Sequence, residues 1–105
     1  MSNHKHKKVY IPNKSVHDFS AAEKYGKLVF LSEGSIKRFN TSTIYRRFEK
    51  ILADSSPDDY LMVSGLTMLN IVACHILTKM HGRINLLLFN PQKNGNKSYL
   101  ERIIK

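Results

Sequence analysis

The sequence predicts an α/β fold: a small, mostly parallel sheet with helices on both faces, in the order βαβαβαβ, and a C-terminal strand that returns antiparallel as a hairpin. Two patterns carry this. Short, nearly continuous apolar runs, the mark of strands buried on both faces, alternate with segments whose apolar residues recur at helical intervals. Near the end of the chain Asn94-Gly95 stands between two strand-like runs, the strongest short hairpin signal. Right-handed crossovers then make the first four strands parallel.

Lys8 to Pro12 reads as the first strand, closed by Pro12 because proline cannot donate to a continuing ladder. A helix is expected next, with Ser15 and Asp18 at capping-box spacing, Val16, Phe19, Ala22 and Tyr25 at helical intervals, and Gly26 as its left-handed stop. Lys27 to Leu31 is the second strand. Asn40 to Ser42 offer N-cap oxygens to a helix whose Ile44, Phe48, Ile51 and Leu52 form one stripe, with Arg46, Arg47, Glu49 and Lys50 facing water.

After Ser55-Ser56-Pro57 comes the third strand, Asp59 to Val63, ending at Ser64-Gly65. From Thr67 to Met80 apolar residues occur almost all round the axis, with Leu69, Ile71, Val72, Ile76 and Leu77 prominent, so this helix is expected to be the most buried. Lys79 and His81 suit its negative end and Gly82 its cap. Ile84 to Phe89 is the fourth strand, and Ser98 to Ile104 the fifth.

A chain of 105 residues supports one hydrophobic core and no second one. The organisation expected is a basic flexible tail over residues 1–8 and a single domain over 9–105. The lone Cys74 excludes an internal disulfide and, inside an apolar run, behaves as a small hydrophobe; a cytosolic setting fits. No apolar stretch reaches the roughly 18–20 residues that span a bilayer, and no signal peptide is visible, so no membrane partner is expected.

Seventeen Lys and Arg against eight Asp and Glu give a net charge of +9, a field that attracts polyanions. Three of the charges, Lys5, Lys7 and Lys8, belong to the tail, and taking 3 from 9 leaves +6 on the remainder. A solvated basic surface explains such an excess equally well.

In open parallel sheets ligands bind beyond the carboxyl ends of the strands, where loops converge and helix N-termini point free amides outward. The residues expected there are Asn13, Lys14, Ser15, His17 and Asp18 after strand one, and Ser32, Glu33, Gly34, Ser35, Lys37 and Arg38 after strand two. Strand three delivers Ser64, Gly65 and Thr67, and strand four Asn90. Small, polar and cationic groups thus gather at one edge, as a phosphate-bearing ligand requires. Gly65 is the most suggestive, because a residue without Cβ lets a ligand approach backbone amides; a tight turn is the competing reason for it.

His17 beside Asp18 has the composition of a base with its orienting partner, yet adjacent helical residues point about 100° apart, and capping is the simpler role for Asp18. Glu33 suits a ribose hydroxyl, or else neutralises Lys37 or Arg38. Arg46, Arg47 and Lys50 offer phosphate or nucleic-acid contacts near the same edge, though such runs are usually solvated. His4 and His6 in the tail bind metal weakly at best, and His75 reads as a core or interface histidine. The tyrosines 10, 25, 45, 60 and 99 look scattered, which argues against an aromatic platform for single strands. No catalytic residue, metal site or cofactor is assigned.

The pattern Val9-Tyr-Ile-Pro-Asn, His17-Asp-Phe-Ser, Tyr25-Gly, Leu31-Ser-Glu-Gly and Asp59-Tyr-Leu resembles small phage-encoded α/β proteins of unassigned activity, which implies a viral setting and the host cytoplasm. The run of strand, glycine, helix and hairpin from Leu61 to Ile104 is also similar to the viral ring nucleases, anti-CRISPR proteins that bind cyclic tetraadenylate. Those carry a histidine directly after the glycine, where this chain has Leu66, so the likeness implies binding without cleavage.

The expectation is therefore a non-catalytic binder of a nucleotide or cyclic oligonucleotide, possible sequestration of a defence signal being its purpose. A nucleic-acid-binding or partner-binding accessory protein is the first alternative, and a small phosphoesterase using His17, Asp18 or Glu33 the second. A homodimer or higher homo-oligomer is expected, because a small domain with so apolar a third helix and fourth strand has surface left to bury.

Overall fold

The computed structural model describes residues 7–15, 17–34, 40–91, 95 and 97–105. Its elements are β1 (Lys8–Ile11), a 3-10 helix (Ser20–Tyr25), β2 (Lys27–Phe30), α1 (Thr41–Leu52), β3 (Tyr60–Met62), α2 (Thr67–His81), β4 (Ile84–Phe89) and β5 (Tyr99–Ile104). They form one sheet in the order β2-β1-β3-β4-β5. β1, β2, β3 and β4 are parallel, and β5 runs antiparallel to β4, from Ile84 opposite Ile104 to Phe89 opposite Tyr99. The expected α/β class and the C-terminal antiparallel strand are both present.

Handedness explains how the helices are distributed. The crossover from β1 to β2 moves one way along the sheet and that from β2 to β3 moves the other, so right-handed connections fall on opposite faces. The step from β3 to β4 continues in the second direction, which sets α2 beside α1. One face therefore carries two helices over Tyr10, Leu31, Leu61 and Ile84. Among the described residues the other carries only the 3-10 helix, over Val9, Ile11, Met62 and Leu87.

α1 follows its sequence pattern. Asn40 accepts a hydrogen bond from the Thr43 amide at 3.1 Å, satisfying one of the amides that a helix start leaves free, and Ile44, Phe48 and Leu52 point inward. α2 ends at Gly82, as expected. Its burial is one-sided, however: Leu69, Val72, Ile76 and Leu77 are buried, while Ile71 is 56% exposed and Met68 is exposed too. His75 is not a core residue either; it is exposed, its ring 5.9 Å from that of Tyr45. A hydropathy pattern cannot tell an apolar residue covered by the sheet from one with nothing above it.

The first expected helix is the main correction. Ser15 and Asp18 do not form a capping box: Ser15 Oγ accepts from the His17 amide at 3.2 Å and Asp18 Oδ1 from the Ser20 amide at 2.9 Å. Each closes its own two-residue turn, the local competition by which Ser and Asp displace helix. What remains is the six-residue 3-10 helix. Val16, expected in that helix, lies outside the described residues, as does Asn94 of the hairpin signal.

Gly26 stops this segment for a different reason from the one expected. Its φ is 155°, and a Cβ there would stand 2.5 Å from the Lys7 carbonyl oxygen, the acceptor for the Lys27 amide at 2.9 Å. Close approach of two strands, not a left-handed cap, requires the glycine. Lys7 and Lys8, counted with the basic tail, thus take part in the sheet: Lys8 opens β1, and its amide donates to the buried Asp59 at 2.9 Å.

Candidate functional site

Because the first four strands are parallel, Asn13, Ser15, His17, Ser32, Glu33, Gly34, Ser64, Gly65, Thr67 and Asn90 follow strand ends at one edge of the sheet. Ser35, Lys37 and Arg38 lie outside the described residues. These groups are spread along the edge. Three gaps of about 4.8 Å separate β2 from β4, so Ser32 and Asn90 stand on the order of 14 Å apart. The chain reverses its direction of travel between β1 and β3, and in such sheets that switch point is where a crevice opens.

The β1–β2 part of the edge is stitched to itself. Lys14 and Glu33 form a parallel bridge, with the Lys14 amide donating to the Ser32 carbonyl at 2.8 Å. Ser32, only 4% exposed, reaches the Pro12 carbonyl and Asn13 Oδ1, and Asn13 Nδ2 donates to the Gly34 carbonyl at 3.1 Å. Ser32 and Asn13 are therefore committed to holding two loops together, whereas Lys14, Ser15, His17 and Glu33 are exposed. Arg47, though exposed, is tied down as well, its Nε donating to the Leu31 carbonyl at 3.1 Å, while Arg46 and Lys50 are also exposed.

Across the switch point, the turn from β3 to α2 is closed by Asn70, a residue sequence reasoning did not single out. Its Oδ1 accepts from the Ser64 amide at 3.1 Å and its Nδ2 donates to the Ser64 carbonyl at 2.6 Å, while Ser64 Oγ accepts from the Leu66 amide at 3.2 Å. Among the described residues Leu66, at the N-cap of α2, makes no side-chain capping hydrogen bond. Gly65 is exposed, its φ lies outside the left-handed region, and a Cβ there would meet no atom within 4 Å. The turn itself does not need a glycine at this position. Just past β4, Asn90 closes the hairpin, its amide donating to the Ser98 carbonyl at 2.8 Å.

His17 and Asp18 do not act as a pair here. Asp18 is held below the usual carboxylate range by hydrogen bonds from Ser20, and the His17 ring lies edge-on to Phe19 at 6.2 Å. Burial pushes the Cys74 thiol up, which disfavours a thiolate. Among the described residues no three His, Cys, Asp or Glu side chains converge as a metal site.

Two features escaped the sequence. Tyr25, Tyr60 and Tyr99 are not scattered: their rings meet at 5.6 Å and 6.3 Å on the thinly covered face, with Phe89 5.8 Å from Tyr99. They come from three elements, so spacing could not reveal them. The second is a groove of about 340 Å³ at the amino ends of the strands, lined by Lys7, Tyr60, Arg83, Asn85, Glu101 and Arg102 among others. Asn85 is 6% exposed and donates to the Pro57 and Asp59 carbonyls; it accepts from Arg83 Nη2 at 2.8 Å, while Arg83 Nε is buried with no acceptor. Tyr60 donates to Glu101 at 2.8 Å, and burial together with that carboxylate pushes its phenol up to about 12. The one polar residue in the apolar run Ile84–Phe89 was the available signal.

Among the described residues no helix is long and apolar enough to cross a membrane. No curated protein and no solved structure matches the chain. Residues 4–103, nearly the whole length, match the model of the phage Pam3 gp32-like proteins. The chain belongs to that family of phage proteins.

Proposed function

We propose that this phage protein binds a phosphate-bearing ligand, a nucleotide or cyclic oligonucleotide, without turning it over, in the crevice between the loops that follow β1 and β3. The observation that carries the reading is the coincidence of the switch point with Gly65. The turn does not require that glycine, the space above it is open, and the uncapped start of α2 supplies amides beside it. Lys14, Ser15 and His17, exposed in the loop that follows β1, would form the opposite wall. Leu66, 46% exposed, stands where the ring nucleases carry a histidine, which supports retention of a ligand over its cleavage. Acting in the host cytoplasm, such a protein would hold a defence nucleotide away from its receptor.

Calorimetry against mononucleotides, dinucleotides and cyclic oligoadenylates tests this. Micromolar binding to at least one is expected, weakened at least tenfold by Gly65→Val in protein of unchanged circular dichroism. A folded wild type that binds none of them overturns the proposal.

A second reading rests on Arg46 and Lys50, both exposed on the outer side of α1. Nucleic-acid binding through them would weaken steeply with salt, and its slope would fall in an Arg46→Ala, Lys50→Ala variant.

A further inference from the structure

We infer that two copies of this chain join through β5, edge to edge and antiparallel, in the register centred on Ile103, so that one sheet runs through both. The inference is independent of the ligand site, which lies between β1 and β3 and is separated from β5 by β4.

β2 and β5 are the two edges of the sheet. The β2 edge is short, and three of its four residues are half-buried. β5 has six residues, five of them exposed; Ile103 and Ile104 are each 56% exposed and Leu100 38%, beside Phe89 at 51% on β4. α2 lies over β4, and the apolar side chains of β5 stand uncovered on both faces of the sheet. A long edge with this much apolar surface is a template for another strand.

The charges on β5 select the occupant and the register. When a strand pairs with its twofold copy inside one sheet, opposite residues share a face, so the axis must pass through a residue. Centred on Glu101 the pairing sets Glu101 against its copy; centred on Arg102 it sets arginine against arginine. Like charges directly opposite are destabilising. Centred on Leu100 it would rest on Tyr99, already 8% exposed, and run into the hairpin.

Centred on Ile103, the isoleucines meet on the axis, Arg102 faces the copy's Ile104, and Glu101 faces the copy's Lys105. Symmetry repeats the last two contacts. The register that buries the two most exposed apolar side chains of the strand also sets Glu101 against a lysine and no charge against its like, a match that a second copy offers. Glu101 is already oriented by Tyr60.

Cysteine cross-linking in a Cys74→Ala background tests the register. Opposite residues have Cα atoms about 4.5–5.5 Å apart, within disulfide range. Ile103→Cys should give covalent dimer on mild oxidation. Leu100→Cys should not, since its copy would lie roughly 20 Å away at about 3.4 Å per residue. Light scattering of the wild type should report a dimer. Glu101→Lys should weaken dimerisation about tenfold, and adding Lys105→Glu should restore it, with circular dichroism confirming folding. A wild type that stays monomeric at 100 µM overturns the inference, as does cross-linking through Leu100→Cys in preference to Ile103→Cys.

Discussion

The two faces of the sheet are closed by different means. Under α1 and α2 the contacts are mainly aliphatic and centre on Phe48, Leu61 and Leu77. On the opposite face, where one 3-10 helix replaces a full helix, Phe19, Tyr25, Phe30, Tyr60 and Tyr99 do the covering, and Lys7, Lys14 and Lys24 lie over the Tyr60, Phe30 and Tyr25 rings at 5.8, 5.6 and 5.3 Å. A short crossover with little helix to offer is made up for by large rings and by lysine stems laid across them. The lesson is that cover is set by crossover direction: the face that receives two connections is sealed by helices, the one that receives a single short connection keeps a groove, and β5, beyond the last crossover, stays bare on both faces.

The comparison is broken most severely by emptying the sealed face. Phe48→Ala, at a fully buried position of α1, should cost about 3–5 kcal/mol by chemical denaturation. A loss no greater than that on the aromatic face would mean the two faces are equally loose.

Alkali should act next, and on both faces. Tyr10 under the helices is pushed up to about 12 by burial and by Asp59 and Asp54, and Tyr60 on the aromatic face to about 12 by burial and Glu101. Both phenols hold their proton more tightly folded than unfolded. Their contribution is complete below pH 10 and is lost as pH rises through 10 to about 12, which phenolate absorbance followed together with unfolding will show. Tyr10 Oη is buried without a partner, so Tyr10→Phe should leave stability unchanged or higher and remove one late-ionising phenol.

Tyr25→Ala removes the ring that touches both Tyr60 and Tyr99 and should cost about 1–2 kcal/mol, less than Phe48→Ala because the site is only half-buried. Asn40→Ala, which uncaps α1, should cost about 1 kcal/mol in thermal unfolding. Gly65→Ala should change stability least, by under about 0.5 kcal/mol, since the added Cβ meets nothing. A large loss there would give the glycine a structural role and weaken the proposed crevice.

Most of the element order was readable in the chain. The stripe of Ile44, Phe48 and Leu52, the run Ile84–Phe89 and the stop at Gly82 are local signals, and each sits where its period or composition put it. The candidate site was legible to a lesser degree. Gly65 and Lys14 follow strand ends as read, but Ser32 and Asn13 turned out to bond one another across 19 residues, and Asn70 closes a turn six residues upstream. Side-chain hydrogen bonds of that kind depend on which strands adjoin, and no spacing rule reports them.

By itself the sequence determined which segments are strands and helices, apart from the stretch between β1 and β2, and that the first four strands run the same way, because periodicity, caps and crossover handedness act over neighbouring residues or a single connection. The strand order, with its reversal between β1 and β3, the gathering of Tyr25, Tyr60 and Tyr99, the groove around Arg83 and the bare flank of β5 were decided only in the tertiary structure. Each arises from pairing between residues far apart in the chain, where the competing arrangements share the same local pattern and differ only in what they bury.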